Sequence, residues 1–311
     1  MVVQVQRKDQ QLQSIIMTNN LKKGRVVKAL SGFYYIDDGQ MIHQCRARGK
    51  LRKQALKPVV GDFVEFQEGN HDDGYLMKIL ERKNVLKRPP IANVDQAILV
   101  FSRKEPDFSR LLLDKFLLLI EHQEIVPIIV ISKMDLESDD GIDQYIDEYR
   151  LAGYQVIETS SKDHLGIEEL KAFFKDKVTV FTGQSGVGKS SLLNALDIQL
   201  NLETNEISKA LGRGKHTTRQ VELMKMYGGY VGDTPGFSSL ELEMDPVEAA
   251  VAYHDFYELS KHCKFTGCLH DKEPHCAVKE AVEKQIISKE RYDNYIMMLN
   301  ELKKRKEKFY G

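Results

Sequence analysis

"VTVFTGQSGVGKSSLLNAL" occupies residues 178–196. Its first part is a run of β-branched and apolar residues, its last part a helix former. Gly183-x4-Gly188-Lys189-Ser190 joins the two. A strand that turns through glycines into a helix start is a cradle for phosphate. Gly183, Gly186 and Gly188 allow the tight turn, so the loop from Gly183 through Gln184, Ser185, Val187 and Ser191 points backbone N–H groups inward. Lys189 neutralises the β- and γ-phosphates, and the Ser190 hydroxyl suits Mg²⁺, which keeps several waters and needs few protein ligands. The stretch therefore predicts a strand–loop–helix unit of a parallel α/β sheet.

Downstream, "VGDTPG" supplies a second phosphate element. Asp233 ends a strand about fifty residues after Gly183 and reaches Mg²⁺ directly or through water, while the Gly236 N–H senses a γ-phosphate. Between them lies "GRGKHTTRQ", a glycine-containing segment that ends in Thr217-Thr218. Thr218 is the favoured second hydroxyl for Mg²⁺. The position just after Asp-x-x-Gly, where many small nucleotide hydrolases carry a water-orienting Gln, holds Phe237. Slow intrinsic turnover follows. His216 is the nearest polar candidate to accept from an attacking water.

Upstream, "VISKMDL" (130–136) ends an apolar run in Ser132-Lys133-Met134-Asp135. An Asp carboxylate there accepts two hydrogen bonds from guanine, from the ring N–H and the exocyclic amine. Adenine offers no such pair, and an unmatched buried carboxylate is costly. Lys133 lays its stem along the base. Ser132 is shorter than the usual Asn or Thr. The next strand ends in "ETSSKD", where Ser160-Ser161-Lys162 suits a backbone contact to the guanine oxygen. The order is thus base loops first, phosphate loop second, Asp-x-x-Gly last, whereas the usual order puts the phosphate loop first. A sheet tolerates permutation if its old ends can be joined. The site reads as a circularly permuted guanine-nucleotide fold with its ligand at the carboxyl ends of the strands.

On either side of this unit the texture changes. Residues 21–88 read as five short strands punctuated by glycines, a small β-barrel of the oligonucleotide-binding (OB) type, with "LKRPP" (86–90) as a linker. From His43 to Lys57 the chain carries Arg46, Arg48, Lys50, Arg52, Lys53 and Lys57 without an acid. On a chain of net charge −1, that cluster points to a localised polyanion contact. Beyond Glu243 the chain becomes helical. "CKFTGCLHDKEPHC" places Cys263, Cys268, His270 and Cys276 within fourteen residues, a closed tetrahedral set for one structural Zn²⁺. His262 and His275 are alternative ligands that the spacing favours less.

At 311 residues, 42% hydrophobic and 29% charged, the chain has the composition of a soluble multidomain protein. "LLLDKFLLLI" (111–120), interrupted by Asp114 and Lys115, is too short and too charged to span a membrane. Residues 1–20 lack the apolar core of a signal peptide and read as a disordered extension. Four cysteines without an export signal fit a reducing cytoplasm.

With "RPPIANVDQ", "GQSGVGKSS", "LGRGKHTTR", "DTPGFSSLEL" and "CKFTGCLH" in one order, the chain closely resembles the ribosome small subunit-dependent GTPase A family (RsgA-type, YjeQ/YloQ). The resemblance runs from about Leu21 to the C-terminus. It implies an OB domain (21–88), a permuted GTPase domain (89–243) and a zinc-binding helical domain (244–311). It implies GTP hydrolysis, binding of the small (30S) subunit and 16S rRNA, stimulation by the subunit and late subunit maturation. It also implies catalytic assistance from His216, beside the Lys189 and Thr218 read from the motifs above. A monomer is expected. The alternative reading is a GTP-gated RNA-binding switch whose slow hydrolysis is incidental.

Overall fold

Alternation of apolar and polar residues builds the N-terminal barrel. In this computed structural model, which describes residues 21–49, 56–69, 73–87, 90–137, 141–197, 221–233 and 241–310, β1 (Lys22–Leu30), β2 (Phe33–Asp37), β3 (Ile42–Ala47), β4 (Phe63–Gln67) and β5 (Gly74–Ile79) close in the order β1-β2-β3-β5-β4. The β3–β5 pair is parallel and the other four pairs are antiparallel, the Greek-key closure of an OB barrel. Val26, Ile36, Cys45, Val64, Phe66 and Leu76 fill its interior. A Cβ on Gly74 would lie 2.8 Å from the Cys45 sulfur, so the wall is closed to any larger residue there. Burial pushes the Cys45 thiol up to about 12, as befits a small core residue and not a ligand.

The linker expected at 86–90 is replaced by a hairpin. β6 (Val85–Lys87) pairs antiparallel with β7 (Pro90–Ala92), and Leu86 and Ile91 are buried. Two extended arms bring one apolar side chain each into contact, which a free linker would leave in water. These residues belong to the first of two compact units, 1–93 with 216–224; the second comprises 94–215 with 225–311.

A six-stranded sheet runs in the order β10-β9-β8-β11-β13-β12. Its strands are β8 (Gln96–Ser102), β9 (Val126–Ser132), β10 (Gln155–Glu158), β11 (Val178–Thr182), β12 (Leu223–Met226) and β13 (Gly229–Asp233). β8, β9, β10, β11 and β13 are linked by parallel pairings. All seven residues of β8 and all five of β11 are buried, as strands covered on both faces require. The chain enters at β8, winds outward to β10, then returns to place β11 on the other side of β8. Loops leaving β8 and β11 therefore diverge and open a crevice at the strand ends. β12 escapes sequence reading because "LMKM" has no β-branched residue. A two-residue turn, Tyr227 (φ 46°) and Gly228 (φ 78°), joins it to β13 as a hairpin.

Helix α1 (Arg110–Glu121) starts where Ser109 accepts the Leu112 N–H. It is followed by α2 (Ile142–Leu151), α3 (Ile167–Lys171) and α4 (Lys189–Leu196). The C-terminal part is α5 (Pro246–Ala250), α6 (His254–Ser260), α7 (Ala277–Glu283) and the long α8 (Lys289–Tyr310). Asp245 and Glu248 form a capping box at α5. Among the described residues no helix is long and apolar enough to cross a membrane.

Asp114, which only interrupts an apolar run in sequence, anchors α8 onto α1. Its side chain has no exposed surface and accepts from Tyr149 Oη (2.7 Å) and Asn294 Nδ2 (2.7 Å). Arg291 lies 3.7 Å away, pairs with both Asp255 oxygens and donates to Tyr154 Oη at 2.7 Å. The Arg291 guanidinium also sits 4.8 Å from the Tyr253 ring centre. Burial holds the Asp114 carboxyl up at about 6, against the pull of Arg291 and its two donors.

Candidate functional site: a nucleotide crevice and a four-ligand metal centre

The phosphate loop leaves β11 at Gly183, whose φ of 147° is open to glycine. A Cβ there would meet the Val100 carbonyl oxygen at 2.2 Å, so only glycine lets the loop cross β8 this closely. Gly186 and Gly188 also have positive φ, 83° and 89°. Val187 is buried and pins the loop, whereas Gln184 and Ser185 are exposed. Lys189 opens α4 with its ammonium on the Gly183 carbonyl (2.7 Å) and the Gln184 carbonyl, inside the loop it is expected to serve. Ser190 is 8% exposed in the first turn of α4, and Ser191 follows half-buried. The donor set therefore fits a phosphate chain with its Mg²⁺.

The base loop is tied directly to this loop. Ser132 Oγ lies 2.5 Å from the Val187 carbonyl and 3.1 Å from the Phe101 carbonyl. The shorter side chain suffices because the backbones approach closely. The Cβ position of Gly188 is 3.8 Å from Ser132 Oγ and 4.0 Å from Lys133 Cε. Lys133 itself adopts φ 59°, a conformation unusual for a non-glycine residue, and its ammonium donates to the Glu105 carbonyl. Met134 N–H donates to the Thr159 carbonyl at 3.1 Å, joining the loop after β9 to the loop after β10.

Asp135 is exposed at the crevice, with Ser160 Oγ 3.1 Å from its carboxylate. Ser160 is itself buried, and its oxygen accepts the Asp163 N–H at 3.1 Å. Ser161 is half-buried and Lys162 exposed. Gly166 (φ 69°) permits the turn that returns the chain, since a Cβ there would strike the Glu158 carbonyl at 2.1 Å. Loops separated by half a hundred residues, in permuted order, thus meet in one crevice. Asp233 is the last residue of β13, paired in register with Phe181 of β11, so its backbone stands next to the start of the phosphate loop. His216, Thr217, Thr218, Gly236 and Phe237 lie outside the described residues.

The cysteine cluster assembles as expected from its spacing. The ligand atoms of Cys263, Cys268, His270 and Cys276 all lie within 4.8 Å of one another. Cys263 and Cys276 sulfurs are 3.9 Å apart, and His270 Nδ1 is 3.3 Å from the Cys276 sulfur. Tetrahedral Zn–S bonds of about 2.3 Å place sulfurs roughly 3.8 Å apart, so the separation fits zinc. His270 Nε2 donates to the Ala250 carbonyl (3.0 Å), which leaves Nδ1 as the lone-pair nitrogen facing the sulfurs. Burial lowers the imidazole pKa, keeping it neutral as a ligand must be. Burial also pushes the Cys268 thiol up to about 12, so thiolates here need a cation to offset the desolvation. Tyr292 and Tyr295 hydroxyls bond the His270 and Leu269 carbonyls at 2.6 and 2.8 Å, fastening the cluster to α8.

Of the basic cluster, Arg46, Arg48 and Lys57 are described and exposed. Arg46 stacks 4.4 Å from the Phe33 ring centre and donates to Asp73 at 2.8 Å. Arg48 contacts Met77. Lys50, Arg52 and Lys53 lie outside the described residues.

The comparisons agree with this geometry. A family profile described as RsgA GTPase matches residues 79–243, and one described as RsgA N-terminal domain matches 23–76. The small ribosomal subunit biogenesis GTPase RsgA of Geobacillus sp. (strain WCH70) is 55% identical over 93% of this chain and 100% of its own length. That of Bacillus subtilis (strain 168) is 53% identical with the same coverage. Among solved structures, YloQ, a circularly permuted GTPase, is 48% identical with a TM-score of 0.79 over 92% of this chain and 96% of that one. YjeQ from Thermotoga maritima is 40% identical, with a TM-score of 0.78 over 91% and 98%.

Proposed function

This chain belongs to the RsgA GTPase family, and from that premise we propose that it binds and hydrolyses GTP on the small ribosomal subunit during the subunit's late maturation. The observation that carries the nucleotide reading is the Ser132 hydroxyl shared between the Phe101 and Val187 carbonyls, which makes base loop and phosphate loop one site. Asp135 reads guanine, Ser160–Lys162 its oxygen, and Gly183–Ser191 the phosphates. Ser190, Thr218 and Asp233 would hold Mg²⁺, which lends positive charge to the β- and γ-oxygens. Lys189 neutralises charge that develops between those phosphates, and His216 accepts from the attacking water. The Cys263, Cys268, His270 and Cys276 set holds one structural Zn²⁺.

The 21–88 barrel contacts 16S rRNA through Arg46, Arg48, Lys50, Arg52 and Lys53, residues 89–243 carry the chemistry, and 244–311 form the zinc-bearing part. The protein acts as a monomer in the cytoplasm. Phe237 favours a second reading, a GTP-gated RNA-binding switch, because it cannot orient water.

GTP turnover with and without small subunits, for the native chain and His216→Ala, tests this. Stimulation lost in the variant supports a partner-activated enzyme with an internal histidine. Stimulation retained removes His216 from the mechanism. No stimulation by subunits that bind the protein leaves the gated switch.

A further inference from the structure

Residues 102–106, "SRKEP", were given no role by their sequence, yet they wall the nucleotide crevice on a third side. Ser102 is buried, and its hydroxyl donates to the Pro106 carbonyl at 2.7 Å, closing the segment into a turn. Pro106 then faces the phosphate loop, 3.8 Å from the Cβ position of Gly186. The Glu105 carbonyl takes the Lys133 ammonium. Arg103 does most of the holding. Its backbone N–H donates to the Ser132 carbonyl at 2.9 Å, and its guanidinium lies 3.8 Å from the Met134 sulfur. The same guanidinium grips both oxygens of Asp143, at 3.1 and 3.2 Å, in the first turn of α2. Its Nε is buried without a partner among the described residues. An unpaired buried donor costs stability, which makes Arg103 a side chain held for position.

We infer that the Arg103–Asp143 fork is a positioning device for guanine recognition: it braces the Ser132–Asp135 loop from behind and sets where the Asp135 carboxylate stands. The inference rests on Ser132–Asp135 being the base loop. Lys133 at φ 59° sits in the left-handed region, which disfavours a non-glycine residue and so calls for support from its neighbours. A two-pronged Arg–carboxylate contact fixes direction as well as distance, which a lysine cannot do. Asp143 is an exposed residue whose carboxylate closes the brace from the helix side.

The test compares binding of GTP and inosine triphosphate to the full chain. Inosine lacks the 2-amino group, so it forfeits one of the two bonds to Asp135; the native chain should prefer GTP by about tenfold or more. Arg103→Ala and Asp143→Asn should each weaken GTP and GDP binding by roughly tenfold, and narrow the GTP-over-inosine ratio to about twofold, as a displaced carboxylate no longer distinguishes them. Arg103→Lys should resemble Arg103→Ala in that ratio. Turnover at saturating GTP with subunits should stay near native. A merely structural defect would weaken both nucleotides equally and leave the ratio intact, which overturns the inference. Asp143→Asn, a change at the surface, keeps the test readable if Arg103→Ala folds poorly. Asp135→Asn is the separate control: it should shift preference toward xanthine nucleotides. Without that shift, the base-loop reading itself fails. A shift with an unchanged ratio in the Arg103 and Asp143 variants removes only the brace.

Discussion

The phosphate loop and the cysteine cluster hold their ligands by opposite means. The loop is shaped by missing side chains: Gly183, Gly186 and Gly188 let backbone groups approach where a Cβ would collide or strain. The cluster is shaped by side chains alone, with three sulfurs and one oriented imidazole drawn from a segment that has little apolar content. The loop therefore sits on a sheet that stands without the ligand, over β8 and β11, both buried throughout. The cluster instead has the donor set of a metal site, and the α8 tyrosines bond its carbonyls. Removing a ligand should empty the first site and dismantle the second.

The largest expected effect follows from that contrast. A strong chelator, or Cys276→Ser, should withdraw stabilisation on the order of 10 kcal/mol from the Cys263–Cys276 segment. The readout is zinc content alongside thermal melting, with GDP binding retained at low temperature. Melting indifferent to chelator would mean the cluster folds without metal.

Next comes the buried junction that fastens α8 to α1. Arg291→Met leaves Asp114 and Asp255 without their cation and should cost about 3–5 kcal/mol in urea unfolding. A loss under about 1 kcal/mol would show that the junction is held by packing alone. The phosphate loop should behave differently. Lys189→Ala is expected to lower subunit-stimulated turnover by about 10²–10³-fold while leaving the melting temperature unchanged. A melting temperature that falls along with turnover would blur the distinction between the two regions.

The smallest effect is one of pH. Burial raises the Asp114 carboxyl from 3.8 to about 6, so the folded chain binds this proton more tightly than the unfolded chain does. Its contribution to stability is full below pH 3.8 and is lost as pH rises through about 6, opposite in sign to a salt-bridged surface carboxylate. Native minus Asp114→Asn stability should therefore decline across that window, by no more than about 3 kcal/mol. A flat difference, or one that rises, would mean that Arg291 outweighs burial.

Motifs whose meaning lies in local spacing were legible. Gly183–Ser190, Ser132–Asp135, Ser160–Lys162 and the cysteine set each span few residues, and the structure brings the loops, and the four ligand atoms, close to one another. The five barrel strands were legible for a related reason, since alternation along a strand is local. The hairpin at 85–92 was not, because paired prolines look like a spacer until Leu86 and Ile91 find each other. β12 was missed because methionine and lysine carry no strand signal, and pairing beside β13 decides it.

By itself, then, the sequence determined which chemical groups are present and in what order, and the permuted order was visible without coordinates. Tertiary structure alone decided which of those groups act together. Arg103 is an ordinary basic residue until α2 brings Asp143 to it, and Asp114 is a flaw in an apolar run until α8 brings Asn294 and Arg291. The physical reason is range. Turn geometry and metal spacing are fixed over a few bonds, whereas burial and ion pairing depend on neighbours that only the folded chain supplies.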